Sequence, residues 1–123
     1  MTRFTLTSTV LGAADPRGLA LFYQRLLGWP IGTDEPGWVT LRPGGGMPGL
    51  SFQLEAEQPR PAWPAGPGDQ HMQMHLDIEV DDLAAAGAVA EAAGARLAEF
   101  QPQDAVRVYL DPAGHPFCLW VRE

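Results

Sequence analysis

An internal repeat constrains the fold of this chain more than any other feature of its sequence. A helical pattern begins after Asp15 and ends at Gly28, and a second begins near Asp82 and ends at Gly94. One extended run precedes each helix, and short alternating runs of strand character follow it. Elements that recur in the same order are best explained by duplicated structural units. The sequence therefore predicts an α+β fold made of two βαβββ modules.

The offset between the two helices aligns further positions of the two copies. It matches Gly28 with Gly94 and Val39 with Val106. An aspartate stands at each predicted N-cap and a glycine at each predicted C-terminal stop, where these residue types are favoured. The second helix is alanine-rich, which supports it by intrinsic propensity.

The repeat divides the chain into two modules within one domain, residues 1–123. Module one is predicted over 1–56, a proline-rich linker over 57–72 and module two over 73–123. Four prolines between residues 57 and 70 leave no room for a regular element. Trp63 lies inside this linker and is expected to pin it to the body, with a ligand-pocket wall as the alternative.

Composition and charge exclude several functional classes. The net charge is −7, and the eight basic residues are scattered arginines, which argues against nucleic-acid binding. Cys118 is the only cysteine, so no intrachain disulfide can form and a reducing compartment is expected. The start of the sequence lacks the features of a signal peptide, and no apolar run has the length of a membrane span. We expect a cytoplasmic protein with no membrane partner.

Strand alternation sorts the predicted sheet residues into two faces. The apolar face, expected to pack under the helices, comprises Val39, Leu41, Phe52, Leu54, Leu76, Ile78, Val80, Val106, Val108, Leu110, Phe117, Leu119 and Val121. The polar face comprises Trp38, Thr40, Arg42, Ser51, Gln53, Glu55, Gln73, His75, Asp77, Glu79, Arg107, Tyr109, Cys118 and Trp120. The repeat offset also aligns Ser8 with His75 and so places Ser8 on the polar face.

The polar face is predicted to bind a ligand rather than to face bare solvent. Trp38, Tyr109 and Trp120 add more aromatic area than a solvated face usually carries. Arg42 and Arg107 stand among acidic residues and are able to orient an anionic or planar molecule. Plain solvent exposure and a dimer interface are the alternatives.

The chain resembles the vicinal oxygen chelate superfamily, which includes glyoxalase I, extradiol dioxygenases, and fosfomycin- and bleomycin-resistance proteins. The resemblance rests on residues 15–29, 75–83 and 111–117, found in order within a duplicated unit. Trp63-Pro64 ahead of the His75 strand is similar to an actinobacterial glyoxalase-like subgroup. The resemblance implies sheets that curl so that the polar residues line a concave cavity. It also implies a homodimer.

Metal enzymes of that superfamily place four ligands on the concave face, and the resemblance assigns them to Ser8, Gln53, His75 and Cys118. Only His75 is a strong ligand of the expected type, and one Cys with one His falls short of a usual site. Glu55 and Asp77 share the face and are possible oxygen donors. We therefore predict no metal and no cofactor.

His75 and Cys118 are weak candidates for other chemistry. His75 could act as a general base near neutral pH, and Cys118 as a nucleophile if His75 lowered its pKa. A hydrogen-bonded histidine and a packed thiol are the favoured interpretation, so no catalytic residue is assigned.

The predicted function is metal-independent binding of a small, partly aromatic molecule, on the model of bleomycin-resistance proteins that confer antibiotic resistance by sequestration. The predicted ligand-binding residues are Ser8, Trp38, Arg42, Gln53, His75, Arg107, Tyr109, Cys118 and Trp120. The alternative is an enzyme of the same superfamily, a lyase, isomerase or dioxygenase, with an atypical metal site or with His75 and Cys118 chemistry.

Overall fold

The computed structural model describes residues 2–122. The chain divides into two compact units at Gln58 and Pro59, here called the first and second unit. The first unit contains β1 (Ser8–Ala13), α1 (Pro16–Leu27), β2 (Ile31–Glu35), β3 (Trp38–Leu41) and β4 (Gly49–Leu54). The second contains β5 (Leu76–Glu79), α2 (Leu83–Ala93), β6 (Arg96–Leu97), β7 (Val106–Leu110) and β8 (Pro116–Trp120). The predicted α+β fold of two βαβββ modules is confirmed.

Each unit forms a four-stranded sheet with the same topology. The strand orders are β1-β4-β3-β2 and β5-β8-β7-β6. In each sheet the first strand runs parallel to the last, and the remaining pairs are antiparallel. The helix supplies the crossover connection that a parallel partner requires.

Capping residues define both ends of helix α1. The Asp15 side chain accepts a hydrogen bond from the Gly18 amide at 3.0 Å, and Pro16 occupies the first turn. Gly28 ends the helix in the left-handed conformation, with φ of 73°, and its amide donates to the Gln24 carbonyl. Glycine is favoured there because it has no Cβ to oppose a positive φ.

The core of the first unit lies between α1 and one face of the sheet. Its buried apolar side chains are Ala13, Leu19, Ala20, Phe22, Tyr23, Val39, Leu41, Leu50 and Phe52. The Tyr23 ring stacks on Phe52, with ring centroids 6.0 Å apart. The predicted apolar face is thus confirmed for Val39 and Phe52. Leu54 differs: it ends β4 and remains 47% exposed.

Helix α2 carries mostly small side chains, and a large side chain from the sheet beneath it fills the space that they leave. The Asp82 side chain accepts a hydrogen bond from the Ala85 amide at 3.0 Å and caps the helix. Ala90 is fully buried. A Cβ added at Gly87 would lie 2.2 Å from the Tyr109 hydroxyl oxygen, so this glycine leaves the space that a buried tyrosine fills.

The two faces of β7 are the reverse of the prediction. Antiparallel partners point to the same side of a sheet, and the register pairs Tyr109 with Phe117 and Arg107 with Leu119. Tyr109 therefore lies on the helix side, while Val108 shares the side of Cys118. The alignment of Val39 with Val106 is wrong by one residue, and a one-residue shift inverts every side chain of a strand.

The linker is pinned by Trp63. Its Nε1 donates a hydrogen bond to the Phe100 carbonyl at 3.2 Å, and the two rings lie 6.0 Å apart. This contact agrees with the expected role of the tryptophan. No helix within residues 2–122 has both the length and the apolar character to cross a membrane.

Candidate functional site

The polar face of the first unit brings small hydroxyl side chains together. The register pairs Thr40 with Ser51 and Trp38 with Gln53. Ser8 lies on the same face, because its Oγ lies 2.6 Å from the Ser51 Oγ. The repeat offset therefore placed Ser8 correctly. Ser51 is buried, and the sequence analysis did not single it out.

A cavity of about 380 Å³ opens on this face. Its lining includes Ser8, Trp38, Arg42, Met47 and Ser51. This volume lies within the range of about 300–1,000 Å³ typical of small-molecule sites. Three of the predicted ligand-binding residues, Ser8, Trp38 and Arg42, therefore share one cavity.

Arg42 provides the positive charge of this cavity. Its side chain crosses the neighbouring strand β2, since a Cβ added at Gly32 would lie 2.3 Å from the Arg42 Nε. Its amide donates to the Pro30 carbonyl at 3.0 Å, which fixes the backbone. Among residues 2–122, no carboxylate forms an ion pair with the Arg42 guanidinium. A guanidinium without a carboxylate partner, in a cavity also lined by an aromatic ring, is suited to a planar anion.

A glycine turn forms one wall of the cavity. Gly44, Gly45 and Gly46 have φ of 81°, 65° and 75°. Three successive residues in this conformation are accessible at low cost only to glycine. The tripeptide therefore closes the connection between β3 and β4 without side chains, and Gly44 and Gly46 line the cavity.

Gln53 lies beside the cavity and not in its lining. Its Nε2 donates a hydrogen bond to Glu55 Oε1 at 2.8 Å, and both side chains are exposed. Gln53 was predicted to bind ligand, but the structure does not place it in the lining of this cavity. The parallel registers also show that Gln53 corresponds to Trp120 in the second unit, and that Ser51 corresponds to Cys118.

The polar face of the second unit carries a different set of groups. Asp77 on β5 pairs with Cys118 on β8, and His75 precedes Asp77 by two residues. His75 Nε2 lies 3.2 Å from Asp77 Oδ1. One potential ligand atom from each of the three residues lies within 4.8 Å of the other two. We call these three residues the β5–β8 cluster.

Cys118 is held as a neutral thiol by its surroundings. Burial, the negative charge of Asp77 and a hydrogen bond to Asp77 raise the pKa of Cys118 to about 11. A cysteine acts as a nucleophile through its thiolate, which this environment disfavours at neutral pH. The hypothesis that His75 activates Cys118 as a nucleophile requires a lowered pKa, so the geometry does not support it.

Trp120 lies farther along the same face and contacts a charged pair. Arg122 Nη2 donates a hydrogen bond to Glu79 Oε1 at 3.2 Å. The Arg122 guanidinium lies 5.9 Å from the centroid of the Trp120 ring, in cation–π range. Trp120 is thus partly covered by the protein's own arginine.

Tyr109 and Arg107 do not belong to the polar face, which corrects two predicted positions. The Tyr109 ring is 4% exposed and stacks on Phe117 at 5.8 Å, against the helix. Burial, with the nearby Glu91 charge, raises the pKa of its hydroxyl. Arg107 Nη1 donates to the Asp104 carbonyl at 2.8 Å, so the guanidinium ties down its own loop.

The four positions that the superfamily resemblance assigned to metal ligands carry four different groups. Ser8 offers a hydroxyl bonded to Ser51, and Gln53 an amide bonded to Glu55. His75 and Cys118 offer an imidazole and a thiol. This set does not reproduce a nitrogen-and-carboxylate site, so no reaction step is assigned to a metal held by the four positions.

Comparison with known proteins gives one family and many similar folds. Residues 8–120 match the family model described as a glyoxalase-like domain. A glyoxalase/bleomycin resistance protein/dioxygenase family enzyme from Burkholderia phytofirmans PsJN superposes with a TM-score of 0.70 at 20% identity, covering 96% of this chain and 98% of that one. A glyoxalase-related enzyme from Fulvimarina pelagi gives 0.68 at 21% identity, covering 96% and 88%.

Lactoylglutathione lyase from Agrobacterium tumefaciens gives a TM-score of 0.61 at 17% identity, covering 98% of this chain and 96% of that chain. At such identities the likeness establishes the fold alone. No curated protein matches the sequence.

Proposed function

Because this chain belongs to the glyoxalase-like domain family of the vicinal oxygen chelate superfamily, we propose that it binds a small, partly aromatic, anionic molecule without chemical conversion. The first-unit cavity is the binding site. Bleomycin-resistance-like sequestration, in which the protein holds a harmful molecule stoichiometrically, is the model for its role.

The observation that carries this proposal is that Trp38 and Arg42 line the same cavity. A half-buried indole offers a flat apolar surface, on which an aromatic ring gains about 0.5–1.5 kcal/mol beyond the burial of area. The guanidinium offers parallel donors that match a carboxylate. A ligand with both an aromatic ring and an acidic group satisfies the two residues together.

The charge of the whole chain sharpens this selectivity. At a net charge of −7, the protein repels anions except where a local cation offsets the field. Arg42 has no carboxylate partner among residues 2–122, so a bound anion does not have to displace one. The buried Ser51 hydroxyl, with Ser8 beside it, adds a neutral polar contact at the floor.

The test compares three probes by isothermal titration calorimetry: 2-naphthoate, its neutral amide, and cyclohexanecarboxylate. We expect 2-naphthoate to bind best. Trp38→Leu should reduce the affinity of 2-naphthoate relative to that of cyclohexanecarboxylate. Arg42→Gln should reduce the affinity of 2-naphthoate relative to that of the amide. Each loss should be roughly tenfold, because each interaction contributes about 1–2 kcal/mol.

Arg96→Gln is the matched control, since Arg96 is an exposed arginine of the second unit. Its affinity for all three probes should equal that of the unmodified protein, and added chelator should change nothing. Equal binding of 2-naphthoate by the protein and by both cavity variants would contradict the proposal. So would conversion of a bound ligand, seen as a new mass after incubation.

An enzyme of the same superfamily is the second candidate, and the β5–β8 cluster is the observation that favours it. A histidine, a carboxylate and a thiol within 4.8 Å can serve as ligands or as proton-transfer groups. The neutral state of Cys118 argues for a proton donor over a nucleophile. Turnover that disappears on His75→Gln and persists on Trp38→Leu would favour this candidate.

A further inference from the structure

We propose that His75, Asp77 and Cys118 of the second unit bind one divalent metal ion of the zinc class. This inference goes beyond the proposed ligand binding, which uses residues of the first unit only. The proposed site also differs from the four-position arrangement of the superfamily. It draws all three protein ligands from one unit and includes Asp77, which lies outside the four positions.

The spacing of the three donors suits a single ion. In tetrahedral zinc sites, metal–ligand distances of about 2.0–2.3 Å place neighbouring ligand atoms about 3.3–3.8 Å apart. His75 Nε2 and Asp77 Oδ1 are already 3.2 Å apart. All three ligand atoms lie within 4.8 Å of one another, so small side-chain rotations bring them to bonding distance of one ion.

The backbone holds the donors in this arrangement. Asp77 and Cys118 are partners in the parallel pair β5–β8, and β8 is hydrogen-bonded on its other side to β7. His75 immediately precedes β5, and its Nε2 lies 3.2 Å from Asp77 Oδ1, so the two side chains converge on one side of the sheet. Two of the three donors therefore lie on paired strands, which keep their geometry better than loops do.

The donor types select the metal class. A thiolate sulfur favours zinc and other soft or borderline ions, whereas magnesium and calcium prefer oxygen ligands throughout. Imidazole nitrogen and carboxylate oxygen are the other common zinc ligands. On binding, the Cys118 S–H bond breaks, the sulfur bonds to the metal, and the proton passes to solvent.

The cluster is accessible to an ion and leaves room for a fourth ligand. The side chains of His75 and Asp77 are 39% and 62% exposed. Water can therefore complete a tetrahedral site of three protein ligands, which is the composition of open zinc sites. An open position would let the ion bind an oxygen atom of a further molecule.

The test is a titration of the metal-free full chain with cobalt(II), which reports ligand type by its absorption. We expect one equivalent of cobalt to produce a near-ultraviolet thiolate-to-cobalt band, to release protons to a weakly buffered solution, and to be displaced by one equivalent of zinc. Magnesium should neither produce nor displace this signal. No catalytic assay is needed.

Three variants assign the ligands. Cys118→Ser should abolish the charge-transfer band. His75→Gln and Asp77→Asn should each weaken zinc binding by more than about tenfold, since the loss of even an indirect metal contact costs about that much. Matched controls are His71→Ala and Asp104→Asn, which remove exposed groups of the same types outside the cluster and should bind as the unmodified protein does.

Circular dichroism of each variant verifies that it has folded. Failure of the folded protein to bind cobalt or zinc would overturn the proposal. So would binding of equal strength in Cys118→Ser and Asp77→Asn, because the metal would then be held elsewhere. Either result leaves the Trp38 and Arg42 test of ligand binding unaffected, so the two proposals fail separately.

Discussion

Cys118 and Asp77 face each other across two paired strands, and burial together with the carboxylate keeps the thiol neutral. Burial raises the Cys118 pKa most, and the charge of Asp77 and its hydrogen bond add to this effect, which brings the pKa to about 11. A raised pKa means that the neutral thiol persists as the pH rises through the ordinary cysteine range. The metal-free protein should therefore present an unreactive cysteine.

We expect alkylation of Cys118 by iodoacetamide, in chelator-treated protein, to be slow at pH 7 and to rise about tenfold per pH unit through pH 10. At pH 8, on the order of one molecule in a thousand carries the thiolate when the pKa is about 11. Asp77→Asn removes the charge effect and should accelerate alkylation at pH 8. Because burial still raises the pKa, the reaction should stay slower than that of a free cysteine.

Mass spectrometry of timed samples measures these rates. Glu55→Gln is the control, because Glu55 is an exposed carboxylate of the first unit and should leave the rate unchanged. A rate that is already constant between pH 7 and pH 9 would show that the thiolate forms at neutral pH. That result would restore Cys118 as a candidate nucleophile.

The residues that line the candidate cavity could be predicted from sequence wherever a strand pattern was unambiguous. Alternation along residues 38–42 placed Trp38 and Arg42 on one face, and the repeat offset aligned Ser8 with His75 and so placed Ser8 on the polar face. The cavity wall at Gly44–Gly46 could not be predicted in the same way. It depends on three left-handed backbone conformations, which leave no periodic signal in the sequence.

At the scale of elements, the two units fill the space between helix and sheet with large side chains from different elements. Helix α1 carries large side chains such as Phe22 and Tyr23, and the strand beneath it carries Leu41 at the position equivalent to Tyr109. Helix α2 carries alanines and Gly87, and the strand beneath it carries Tyr109. In the second unit, small helix side chains pack over a large ring of the sheet. In the first unit, large helix side chains pack over a smaller side chain of the sheet.

This exchange explains why alternation failed on β7. The sequence Val106-Arg107-Val108-Tyr109-Leu110 offers two sets, and the three aliphatic residues form the more hydrophobic one. Packing selected the other set because only a tyrosine reaches across the space left by an alanine-rich helix. Strand alternation shows which residues share a face of the strand. It does not show how much space the opposing helix leaves for the side chains on that face.

The contact between α2 and β7 predicts the direction in which Gly87→Ala changes the free energy of unfolding. Glycine in a helix is less favourable than alanine by about 1 kcal/mol, so propensity alone predicts that Gly87→Ala stabilises the protein. The added Cβ would meet the Tyr109 hydroxyl at 2.2 Å, and the buried ring has little room to move. We expect Gly87→Ala to lower the free energy of unfolding by about 1–3 kcal/mol.

Urea denaturation measures this change. Removing the clashing oxygen with Tyr109→Phe in the Gly87→Ala background should recover part of the loss, giving a non-additive double-mutant cycle. Ala88→Gly, on the exposed side of the same helix, reports the propensity effect alone. Greater stability of Gly87→Ala than of the original chain would contradict the packing described here.

For the molecule as a whole, the duplicated order of elements was sufficient to predict the fold. Each unit has one helix and four strands with identical topology, and the caps at Asp15 and Asp82 lie at equivalent positions. The association of whole molecules is a separate matter. Several apolar side chains are exposed, including Phe4 (94%), Leu6 (71%) and Met74 (72%).

We propose a homodimer in solution, because burial of these side chains against a second copy would remove apolar area from water. Light scattering coupled to size-exclusion chromatography should give twice the chain mass of 13.3 kDa. The double change Phe4→Ser with Leu6→Ser should reduce the dimer fraction, whereas Leu97→Ser should not. A mass of one chain at every concentration would exclude the dimer.

The two sides of each sheet have separate duties, and this separation bears on how such a protein can diversify. The helix side contributes most of the packed core, while the opposite side carries the polar groups. Ser51 in one unit and Cys118 at the equivalent position of the other differ by a single atom, oxygen against sulfur. A substitution of that kind alters the chemical character of the polar side and leaves the packed side unchanged, so the two copies of the unit can differ in chemistry while they keep the same fold.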